Sequence, residues 1–71
     1  MKQQQLVQFG IHVRSLRETR NISQETLAEL AGMHRTYLGG IERGERNLSL
    51  LNMLKLAKVL DVSLAELVRG L

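Results

Sequence analysis

No cysteine occurs in the 71 residues, so neither a disulfide nor a thiolate metal site braces the fold. Proline and tryptophan are absent too, and Phe9 and Tyr37 are the aromatic residues. Strands favour aromatic and β-branched runs, and no such run occurs, which argues against a sheet. No apolar stretch approaches the roughly 18 residues of a membrane span. The opening segment, MKQQQLVQFG, has one lysine and no long apolar core, so it does not read as a secretory leader, and a cytoplasmic location is expected. There is no repeat, linker or low-complexity stretch, and the length implies one domain, residues 1–71.

What is present narrows the class further. Hydrophobic residues make up 44% and charged residues 24%, which excludes a disordered polar tail. A chain this short buries only about 60% of the surface its unfolded form exposes, so its core is marginal and oligomerisation is the remaining support. Ten Lys and Arg against seven Asp and Glu give a formal charge of +3. That permits a nucleic-acid partner without requiring one, because an ordinary soluble surface explains it equally well.

Apolar periodicity and end signals predict five helices and a compact all-α fold. The first runs over about 5–19, with Leu6, Phe9, Val13 and Leu16 at three- and four-residue steps. RNIS breaks it, and Ser23 caps a second helix with Leu27, Ala28, Leu30 and Ala31 inward. Gly32 ends that helix and GMH makes a turn. A third helix starts near Arg35 and stops at Gly44, followed by a polar loop. Ser49 caps a fourth, with Leu50, Met53, Leu54, Ala57 and Leu60 at helical spacing. Ser63 and Glu66 form a capping box opening a short fifth, with Leu64, Leu67 and Val68.

Helix, Gly-containing turn and short helix over about 23–43 make a helix-turn-helix, whose second helix enters the major groove in DNA-binding versions. Within it, TYLGGIERG carries adjacent glycines inside a helix, each costing roughly 1 kcal/mol relative to alanine. At 100° per residue, Leu38 and Ile41 share the inward face, with Tyr37 and Glu42 at its edges. Thr36, Gly39, Gly40 and Arg43 fall opposite. Two readings stay open. The glycines present a bare backbone face for close approach to a groove wall or phosphates, or they are a tolerated weakness.

The stretches SQETLAELAG and YLGGIERGERNLSLLNMLKLAKVLDVS resemble the helix-turn-helix family of phage repressors and Cro-type proteins, the Xre-like family. The resemblance spans about residues 9–69 through Gln24, Leu27-Ala28, Gly32, Ile41-Glu42 and Gly44. Within that family HRTYLGGIERGERNLSL is similar to the controller proteins of restriction–modification systems. The resemblance implies a five-helix, lambda-repressor-like fold and a dimeric regulator of transcription. Such a regulator binds palindromic operators in double-stranded DNA, activates, and represses at higher occupancy.

The resemblance also assigns roles. Arg35 and Thr36 open the recognition helix where members read base edges; arginine pairs with guanine, and threonine hydrogen-bonds or touches a thymine methyl. Tyr37 contacts base or phosphate, or simply rims the core. Gln24 and the second helix's N-terminus grip a phosphate. His34 caps the recognition helix or faces a phosphate. Arg43, Arg46 and Asn47 flank the following loop as phosphate contacts, with Arg46 within reach of a minor groove, although a merely soluble basic loop fits them too. Arg17 and Glu42 form a structural salt bridge between the first and third helices. Glu25 and Glu29, one turn apart, match acidic positions that touch RNA polymerase in related activators; a solvated acidic face is the plainer reading.

The fourth and fifth helices, about 49–71, offer more apolar residues than one small core needs. Leu48, Leu51, Leu67, Val68 and Leu71 are expected to form an exposed dimer patch. An enzyme is not expected. There is no nucleophile with its base, no phosphate-cradling glycine loop and no metal-ligand cluster, and neither cofactor nor small-molecule ligand is implied. The alternative is an antitoxin or other interaction module of the same fold. Antitoxins usually append a toxin-binding segment, and none is read before Leu71.

Overall fold

The computed structural model describes residues 3–71; Met1 and Lys2, part of the segment read as lacking a leader, lie outside it. Five helices follow in order: α1 (Gln4–Thr19), α2 (Gln24–Ala31), α3 (Arg35–Glu42), α4 (Leu50–Leu60) and α5 (Leu64–Leu67). The described residues contain no strand. None of their helices is long and apolar enough to cross a membrane.

Serines set the starts. The Ser23, Ser49 and Ser63 side chains accept hydrogen bonds from the backbone N–H groups of Thr26, Asn52 and Glu66. Each satisfies one of the orphan donors of a helix N-terminus. The Ser63 half of the expected capping box thus forms, while the Glu66 carboxylate turns to Arg69 (3.4 Å) and His12 (3.5 Å). The helix ends share one device. Asn21, Gly32, Gly44 and Asp61 follow α1 to α4 with φ of 58, 69, 78 and 55°. After each, the next N–H reaches back five residues to a carbonyl, as Met33 N–H does to Ala28 O at 2.8 Å. This is the Schellman closure.

Five helices close around one core. Phe9 and Val13 of α1, Leu27, Ala28 and Ala31 of α2, Leu38 and Ile41 of α3, Leu56, Ala57 and Leu60 of α4, and Leu67 of α5 fill it. Two expectations are corrected here. Leu30 is 62% exposed, because the α2 stripe that meets α3 and α4 is Leu27, Ala28 and Ala31. On α4 the inward stripe is Met53, Leu56, Ala57 and Leu60, which leaves Leu50 and Leu54 exposed. The Leu38 and Ile41 face of α3 is buried as expected.

Gly10 sets how near α1 lies to α3. A Cβ there would sit 2.4 Å from the Ile41 carbonyl oxygen and 2.6 Å from that of Glu42. The absence of a side chain lets α1 rest directly on the α3 backbone, which fixes how far α3 stands from α1. Nothing in the sequence pattern marked Gly10.

Candidate nucleic-acid interface

α2, the turn at Gly32–His34 and α3 form the helix-turn-helix. Its second helix is tied to α1 by a buried ion pair. Arg17 Nε donates to Glu42 Oε2 at 2.7 Å and Arg17 Nη2 to Glu42 Oε1 at 3.1 Å, a two-pronged bond. Arg17 Nη1 also donates to the Ile22 carbonyl at 2.9 Å, and Gln24 Nε2 to Glu42 Oε1 at 2.9 Å. Arg17 and Glu42 are 9% and 8% exposed. The hydrogen bonding that Arg17 donates to Glu42 raises the Arg17 pKa, against a lowering by burial. One carboxylate at the end of α3 therefore joins α1, the α1–α2 turn and the start of α2. The sequence reading assigned this pair as a structural bridge, and it spans α1 and α3.

The outward side of α3 carries a polar recess of about 230 Å³ lined by Gln24, Arg35, Thr36, Gly39 and Arg43. Arg35 and Thr36 are exposed in the first turn of α3, and Arg43 follows its end. Arg43 Nε also bonds Glu45 Oε2 at 3.2 Å in an exposed pair. His34 is exposed at the N-cap position of α3, and its side chain makes no capping bond.

Of the two readings left open for the glycines, the bare face is not what the structure presents. Gly39 and Gly40 do oppose Leu38 and Ile41, but both are buried. The side chains of Arg43 and Gln24 fold back over Gly39, and the Arg46 stem lies on Gly40.

Tyr37 is half-buried against the core rim, and its hydroxyl accepts from Asn52 Nδ2 at 3.2 Å. The Arg46 guanidinium lies over its ring, 5.6 Å from the centroid. Asn47 is exposed but separated from the recess group. It lines an apolar groove with Leu6, Phe9, Leu48, Met53, Val68 and Leu71. Glu25 and Glu29 are both exposed on α2, beside Met33, His34 and Arg35.

Of the residues expected in a dimer patch, Leu51 is 70% and Leu71 50% exposed, while Leu48 and Val68 are partly buried against the core. Leu67 is corrected. It is fully buried in the protomer's own core, because α5 folds back onto α1 and α4, so no partner can reach it. Leu50 (56%) and Leu54 (43%) take its place in the exposed apolar set on α4.

Residues 13–67 match the helix-turn-helix family model, and the chain belongs to that family. Its relatives include controllers of restriction–modification systems. Control protein C.SmaI of Serratia marcescens is 52% identical over 56 residues, which cover 79% of this chain and 67% of that protein. Control protein C.BamHI of Bacillus amyloliquefaciens is 48% identical over 60 residues, 83% of this chain and 74% of that one. The crystal structure of the restriction-modification controller protein C.AhdI from Aeromonas hydrophila matches with a TM-score of 0.85 at 56% identity, covering 87% of this chain and 94% of that one. The chain is a helix-turn-helix transcription regulator of the controller-protein kind.

Proposed function

We propose that this protein binds palindromic operators in double-stranded DNA as a homodimer in the cytoplasm, and regulates the adjoining promoter. It activates at low occupancy and represses as further sites fill. The observation that carries the reading is the cationic recess on the outward side of α3, where Arg35, Thr36 and Arg43 gather with Gln24 over Gly39. Arg35 and Thr36 read base edges from the start of α3, and Tyr37 contributes its hydroxyl proton from the rim. Arg43, Arg46, His34 and the second amide proton of Gln24 address phosphates, with Asn47 at the margin. Replacing Arg35 by alanine is expected to relax selectivity at one defined base pair, worth about 1–3 kcal/mol, and to leave the other positions of the site unchanged. Binding measured against a panel of single-base variants of the site checks this; equal selectivity with and without Arg35 would contradict it.

α4 and α5, about 49–71, supply the dimer surface. Leu50, Leu51, Leu54 and Leu71 are the exposed large apolar residues of this segment, with Leu48 and Val68 lining a groove that Leu71 shares. The protomer measures 28 × 24 × 22 Å, a size at which a two-fold pair can set its α3 helices about 34 Å apart, one DNA turn. Sedimentation at micromolar concentration is expected to find a dimer, and Leu51→Glu a folded monomer. A Leu51→Glu dimer of undiminished strength would remove α4 from the interface. Glu25 and Glu29 give α2 an acidic exposed face for RNA polymerase, a contact read by transcription with purified polymerase from an operator-bearing promoter.

A further inference from the structure

Gly40 needs an explanation that its backbone does not supply. Its φ is not among the positive values of the chain, so no left-handed conformation calls for glycine. Alanine at an ordinary helical position is the better helix former. Space is what distinguishes the residue. A Cβ on Gly40 would lie 3.1 Å from Arg46 Nε, 3.2 Å from its Cγ and 3.7 Å from its Cδ. Cγ and Cδ belong to the stem and Nε to the guanidinium, so the side chain as a whole, not its tip alone, must give by a few tenths of an ångström. The guanidinium continues over the Tyr37 ring, and Tyr37 is held in turn by Asn52. Asn52 fixes the ring, the ring holds the cation, and Gly40 provides the bed on which the stem lies. Gly39 differs, because the nearest atom to its Cβ position is Nη1 at the tip of the exposed Arg43 side chain.

We infer that Gly40 is a positioning residue: its missing side chain seats Arg46 across α3 with the guanidinium over Tyr37, pre-organised for DNA. The DNA half of this inference rests on the reading proposed above; the seating of Arg46 does not. An ordered arginine spends less of its binding free energy on immobilisation when a phosphate or groove arrives.

Two readouts test it on the full chain. In proton NMR of the free protein, the Arg46 stem and terminal protons carry a ring-current shift from Tyr37, the chain's one tyrosine in the absence of tryptophan. Gly40→Ala is expected to diminish that shift without lowering the thermal midpoint, and Gly39→Ala to retain it in full. Operator affinity is expected to fall roughly twofold to fivefold in Gly40→Ala, the factor an exposed cation–π contact represents. That loss is expected to vanish when Arg46→Ala is already in place. A shift undiminished in Gly40→Ala overturns the seating. An equal affinity loss with and without Arg46 overturns the pre-organisation and makes the new methyl a direct obstruction to DNA. A wild-type protein that selects no duplex refutes the DNA reading, while the NMR arm still decides the seating.

Discussion

Glu42→Ala is expected to lower the free energy of unfolding by about 3–5 kcal/mol, measured by denaturant titration. A domain of this length is stable by about 4–11 kcal/mol in total, so the loss takes much of the margin. The size follows from what stays behind. Arg17 would keep its charge in a site where its side chain is 11% exposed, with no carboxylate bonded to it and only the weaker field of Glu18 left, and the Gln24 amide would lose its acceptor. Replacing both ends by apolar residues, Arg17→Met with Glu42→Leu, is expected to recover part of the loss. It removes the unpaired charge, yet leaves the Ile22 carbonyl and the Gln24 amide without their bonds. The pKa of Arg17 is raised, so its stabilising contribution is complete below the ordinary arginine value and is lost as pH rises from there through the raised one. The deficit from the Arg17 end should therefore be constant across the neutral range. A Glu42→Ala protein within about 1 kcal/mol of wild type would mean that the pair is solvated and does not hold α3.

Gly10→Ala is expected to destabilise by at least about 3 kcal/mol, the upper end for an overpacked core, although alanine is intrinsically the better helix former by about 1 kcal/mol. The obstacle is backbone, the Ile41 and Glu42 carbonyl oxygens at 2.4 and 2.6 Å, and cannot rotate away. α1 must rise off α3, and the recognition helix loses the surface that sets its height. Gly32→Ala is the informative comparison. Nothing lies within 4 Å of its Cβ position, so only the left-handed backbone at φ 69° resists, at about 1–2 kcal/mol. If the two variants melt together, close approach of α1 and α3 is not what Gly10 provides.

Helix ends were legible because particular side chains do the chemistry of ending and starting. Ser23, Ser49 and Ser63 accept from the first turn, and Gly32 adopts the left-handed closure. Asn21 and Asp61 close α1 and α4 in the same way, but their side chains also suit an ordinary loop, so the pattern did not mark them. Faces were harder. α4 carries apolar residues nearly all round, and spacing alone does not choose between the Leu50–Leu54 stripe and the Leu56–Leu60 one. Packing on α2 and α5 chooses. The same packing takes Leu67 from the expected dimer patch into the core and turns Leu30 outward. The Arg17–Glu42 bridge was legible through resemblance, not through periodicity, since 25 residues separate its ends. A helical wheel gives the direction in which Gly39 and Gly40 point, but not that Gln24, Arg43 and Arg46 return over them. Gly10 left no trace in the pattern, because the neighbour that requires it belongs to another helix.

Whether α3 reads DNA sequence is decided by selection from a random duplex library followed by salt titration of the selected site against a scrambled one. A palindrome with half-sites one turn apart is expected. It should be preferred by about 10³ or more, with a steep fall of affinity with salt set by Arg43, Arg46 and their two-fold mates at the phosphates. No enrichment, with both duplexes bound alike, would contradict sequence reading by α3 and leave the fold as a protein-interaction module or a non-specific binder.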